Sequence, residues 1–104
     1  MGKVIEMTVW KAHPGKMKEM LAVMSATRTV FLAAGVSEIK IVVGAAGKDV
    51  GNATMIQTFK GYADNGAVNE AIGDDAGVKA HQEKYKDLNI GTFISHDIYE
   101  VIEE

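Results

Sequence analysis

The period of the apolar pattern changes along this chain in the order two, three-to-four, two, two, three-to-four, two, and few small folds accommodate that order. Over residues 3–10 the alternation is strict: Ile5, Met7 and Val9 share one side, and Val4, Glu6, Thr8 and Trp10 the other, as in a strand. Pro14 follows His13, and a proline at the first helical position forfeits no hydrogen bond, so a helix is predicted to open there. Met17, Met20, Leu21, Met24 and Phe31 then fall on one stripe, and Gly35 stands where a left-handed residue commonly closes a helix. A helix over 14–34 would be about 30 Å long, enough to cross a small sheet.

Residues 36–45, rich in β-branched side chains, and 53–60 read as two further strands. The connector over 46–52 carries Gly47, Asp49, Gly51 and Asn52, the content of a hairpin loop, so these strands are expected to be antiparallel neighbours. Asp64 is placed to cap a second helix with Val68, Ala71 and Ile72 as apolar positions. This helix breaks near Gly73-Asp74-Asp75, where Asp readily caps a restart, and resumes through Val78, Tyr85 and Leu88. Residues 92–102, with Ile94, Ile98 and Ile102 at even spacing, form a long last strand. The order βαββαβ predicts an α+β, ferredoxin-like fold: a four-stranded antiparallel sheet with two helices on one face. Right-handed crossovers are expected to relate the first and third strands as parallel.

The 104 residues suit a single domain, 1–104, with no linker-like stretch inside it. Eleven basic and 14 acidic residues leave a net charge of −3, and no cluster of Lys and Arg offers itself to a phosphate backbone, so nucleic acid is not an expected partner. No cysteine is present, which removes disulfides and thiolate metal sites. The start, Met1-Gly2-Lys3-Val4, has no apolar signal core, and no apolar run approaches the roughly 20 residues of a membrane span, so a cytoplasmic, non-membrane protein is expected.

Two helices cover only one face of such a sheet. The other is expected to carry Val4 and Trp10, either Met55 with Phe59 or Ile56, and several of Phe93, Tyr99 and Val101, with Glu6 and Thr8 among them. An apolar face of that size predicts a homodimer formed sheet to sheet, and the two polar residues within it predict a small cavity there.

The segment His13-Pro14-Gly15-Lys16 opening a long helix, Gly35 closing it, and Ala53-Thr54-Met55-Ile56-Gln57-Thr58-Phe59-Lys60-Gly61-Tyr62-Ala63-Asp64 leading into the next resemble the dimeric α/β-barrel superfamily. Within it the chain is most similar to the small antibiotic biosynthesis monooxygenase-like domains, with stress-responsive and NIPSNAP-like barrels as neighbours. The resemblance implies a homodimer with a ligand pocket in each protomer. It also implies a group of proteins that includes cofactor-independent oxygenases, haem-degrading oxygenases, isomerases, dehydratases and members without known activity. The haem-degrading members carry an Asn, a Trp and a histidine on the second helix. His81 could fill the last role, but the only tryptophan is Trp10, in a first strand that contains no Asn, so that constellation is incomplete.

Candidate chemistry therefore rests on few residues. His81 and His96 are the candidate catalytic residues, since imidazole can take or give a proton near neutral pH; His13 reads as a loop residue. Ser95, His96 and Asp97 cannot form a triad among themselves, because adjacent strand residues point to opposite faces. Glu6, Thr8, Trp10, Phe59 and Tyr85 are the candidate pocket residues for a small apolar or aromatic ligand. Gly44-Ala45-Ala46-Gly47-Lys48 lacks phosphate-loop spacing, and no metal-binding motif is present, so neither a nucleotide nor any metal or other cofactor is expected. Two functions remain: a cofactor-independent monooxygenase-like enzyme, or a non-catalytic dimeric ligand-binding or stress-related protein.

Overall fold

A computed structural model describes residues 2–104. The elements are β1 (Val4–Ala12), α1 (Met17–Ala33), β2 (Glu38–Val43), β3 (Ala53–Phe59), α2 (Tyr62–Asp74), α3 (Ala76–Tyr85) and β4 (Gly91–Glu100). The four strands make one sheet in the order β2-β3-β1-β4, with every neighbouring pair antiparallel, and the α+β, ferredoxin-like expectation holds. One detail is corrected. β1 and β3 are antiparallel neighbours; the strands running the same way are β1 with β2, and β3 with β4, each pair separated by one strand.

The helix ends follow their glycines. Gly15 has φ +78, so residues 14–16 form a turn closed by the Lys16 N–H donating to the His13 carbonyl, and α1 starts at Met17 rather than Pro14. At the far end Gly35, φ +121, donates to the Leu32 carbonyl and Val36 to the Phe31 carbonyl, the paired bonds that end a helix on a left-handed residue. The second helix starts at Tyr62, so Asp64 sits in its first turn rather than at its cap, where its carboxylate accepts the Lys60 N–H at 2.9 Å. The predicted break divides it into α2 and α3, and Asp75 caps α3 by accepting from the Val78 N–H.

Strand parity differs from the expectation. Val4, Glu6, Thr8 and Trp10 face the helices: Val4 and Phe59 pair across strands and are fully buried with Met20 and Met24 of α1 and Val68 of α2. Burying a side chain of the size of Val4 or Phe59 stabilises by about 1.5–3 kcal/mol. Ile5, Met7 and Val9 lie on the open face, opposite Thr58, Ile56 and Thr54. Apolarity alone favoured the other assignment.

β4 carries a bulge. Val9 pairs with Ser95 and Trp10 with Phe93, leaving Ile94 as the extra residue. The bulge lets Phe93 meet Trp10 edge to face, ring centroids 5.6 Å apart, while His96 still falls opposite Thr8 on the helical face. Among the described residues no helix is long and apolar enough to cross a membrane.

Candidate active site

Three residues of β1 and β4 are joined into one chain of hydrogen bonds on the helical face of the sheet, running from buried Glu6 to His96, whose side chain is 40% exposed. Glu6 is 4% exposed. Its Oε1 lies 2.9 Å from His96 Nε2, and its Oε2 accepts from the side-chain amides of Asn65 and Asn69 on α2, the latter at 2.8 Å. A carboxylate only accepts, so His96 Nε2 carries the proton on that side. In the tautomer that carries its proton on Nε2, Nδ1 is an acceptor 2.9 Å from Thr8 Oγ1, and the hydroxyl donates to it. A carboxylate thus orients an imidazole that can take a proton from a hydroxyl.

Thr8 is also part of a cavity wall. The cavity, about 350 Å³, lies between the sheet and the helices. Thr8, Trp10, Met55 and Gln57 form the sheet side, Met20, Met24 and Phe31 of α1 face them, and Tyr85, Leu88 and Ile90 close the end. That volume is at the small end of the range for ligand pockets. The lining is apolar apart from Thr8, Thr27, Gln57 and Tyr85 and includes no charged side chain.

His81 stands apart from this arrangement. Thr27 Oγ1 gives its only proton to the Val23 carbonyl at 2.9 Å, so the 2.7 Å contact is a bond donated by His81 Nε2 to that hydroxyl. The His81 ring packs on Tyr85, and burial, followed by the nearby Lys84 charge, holds its pKa below the ordinary 6.5. With Gln82 and Lys86 it lines an outer cleft that shares Thr27, Phe31 and Tyr85 with the cavity, so His81 lies at the cavity's outer side. A histidine held to Thr27 in that way does not face the cavity as the haem-facing histidine of the resemblance would, and the residues do not fit a haem.

Of the residues singled out in the sequence, Thr8, Trp10 and Tyr85 line the cavity, and Glu6 and His96 form the chain leading away from it. His81 occupies the outer cleft, and Phe59 is fully buried core without a place in the cavity wall. The sequence reading missed Asn65, Asn69 and Gln57. The first two are one helical turn apart, a spacing that aims both at one point, and Gln57 interrupts the apolar face Ala53, Met55, Phe59 at period two.

The fold is similar to that of antibiotic biosynthesis monooxygenase-like and NIPSNAP family proteins. A variant of SnoaB, a cofactor-independent oxygenase from Streptomyces nogalater, superposes with a TM-score of 0.70 at 14% identity, over 100% of this chain and 97% of that one. A NIPSNAP family protein from Agrobacterium tumefaciens gives 0.70 at 13% identity, over 99% and 87%. A Nitrosomonas europaea protein provisionally assigned as an antibiotic biosynthesis monooxygenase gives 0.62 at 17%, over 98% and 93%. No protein-family profile and no curated protein matches the sequence.

Proposed function

We propose that this protein is a cofactor-independent monooxygenase-like enzyme that takes a small apolar or aromatic molecule into the cavity and removes a proton from it through Thr8 and His96. The observation that carries this reading is that one hydroxyl, Thr8, belongs both to the cavity wall and to the chain ending at buried Glu6. A substrate proton passes to Thr8 Oγ1 as the hydroxyl's own proton moves to His96 Nδ1, and the imidazolium formed rests against the Glu6 carboxylate. An activated C–H that loses its proton leaves a carbanion that dioxygen can oxidise. One oxygen atom remains as a new carbonyl and the other leaves as water, so the electrons balance without a further reductant.

Dioxygen uptake with anthrone as probe tests it. Thr8→Val and His96→Asn are expected to lower the protein-dependent rate at least about 100-fold while anthrone still binds. Uptake equal to that of buffer, or unchanged in Thr8→Val, would sink the proposal. The second reading, a ligand-binding protein without chemistry, draws on the uncharged lining of the cavity and is the one left if anthrone binds without uptake. In either reading the protein is proposed to work as a homodimer joined through the open sheet face.

A further inference from the structure

We infer that Gln57 is the specificity-determining residue of this cavity, and that its ligand is an aromatic molecule bearing a hydroxyl or carbonyl oxygen. The inference rests on the cavity being a ligand site, as proposed above, and goes on to name what the ligand must carry.

Gln57 is 6% exposed, lines the cavity, and its Oε1 has no hydrogen-bond partner among the described residues. A buried amide oxygen left without a partner costs about 1–3 kcal/mol, and a core strand would place Leu or Met there at no such cost. Its nearest polar neighbour across the strands does not relieve it. Glu6 is directly opposite Gln57, but a carboxylate only accepts and so offers an amide oxygen no donor. On its other side Gln57 meets Ile39 of β2.

The cavity that Gln57 lines is the remaining source of a partner for its amide, reached when the side chain turns its oxygen to that side. Thr8 pairs with Met55, two residues from Gln57, so Thr8 and Gln57 are diagonal neighbours on one wall, within reach of a single bound group. An amide can turn over to present either its N–H or its oxygen, so a phenolic hydroxyl or a ketone is held equally well. The rest of the lining, Trp10, Met24, Phe31 and Met55 among it, favours a flat apolar body.

The test compares 2-naphthol with naphthalene, which differ by one oxygen, by titration against the full-length protein and against Gln57→Leu. The wild type is expected to bind 2-naphthol about tenfold more tightly than naphthalene, and Gln57→Leu to bind both alike, with naphthalene no weaker than before. Gln57→Leu is also expected to melt no lower than the wild type, since it removes a buried polar group. Equal binding of the two probes by the wild type would overturn the role of Gln57 while leaving the cavity a ligand site. Binding of neither would overturn both readings. The wild-type comparison stands even if Gln57→Leu does not fold.

Discussion

Glu6 is a carboxylate beneath a layer of helices, and it is tolerable there because three donors surround it. Removing it takes away the acceptor shared by Asn65, Asn69 and His96 Nε2 and empties a buried site, whereas the same substitution at an exposed Glu would cost little. Glu6→Ala is expected to destabilise the fold by about 2 kcal/mol, a drop in melting temperature of roughly 10 °C for a chain of this size, measurable by calorimetry. A change of under about 2 °C would mean that the network contributes nothing to folding. This carboxylate also explains why parity was hard to read from β1. Burying Glu6 and Thr8 under helices needs hydrogen-bond partners, and the two asparagines that serve Glu6 lie about 60 residues away, at 65 and 69.

At the scale of elements, α3 packs on α1 and α2 more than on the sheet, and Val78 is its one buried residue. His81 ties it to α1 through Thr27. Because burial holds this imidazole below its ordinary pKa of 6.5, the unfolded chain takes up a proton that the folded chain resists. Stability is therefore full above about pH 6.5 and declines as the pH falls below it. Between about pH 7 and pH 5 the urea midpoint is expected to fall less in His81→Asn than in the wild type; parallel curves would refute the assignment. Glycines made such element ends legible in the sequence. Gly35 closes α1 as expected, but Gly15, in a left-handed conformation, delays its start, which the proline beside it had concealed.

Seen as a whole molecule, three helices lie on one side of the sheet and none covers the other among the described residues, which is the side proposed above to join two copies. Ile5, Met7 and Ile56 lie on that open face, with Val42 and Tyr99 exposed beside them. Light scattering after size exclusion is expected to give twice the chain mass, and Ile56→Glu to give the monomer with the helical signal intact. A wild-type monomer at tens of micromolar would end the dimer reading. The order of elements, and with it the fold, was legible because periodicity and turn residues are local. The site was only half legible, because Thr8, His96, Glu6 and Gln57 meet through the pairing of three strands that no local pattern encodes.

Ile94 gives this last point a sharper form. A strand that skips one residue acquires something like a reading frame: upstream of the bulge it presents Phe93 to the helices, and downstream His96, Ile98 and Glu100. In strict alternation from Phe93, the residues presented would be Ser95, Asp97 and Tyr99, and Thr8 would face no imidazole. Insertions and deletions in β4 are therefore frameshifts in chemistry. They can leave the sheet standing while exchanging an imidazole for an unrelated side chain, a route by which one small fold can change the chemistry of its inner face without changing its shape.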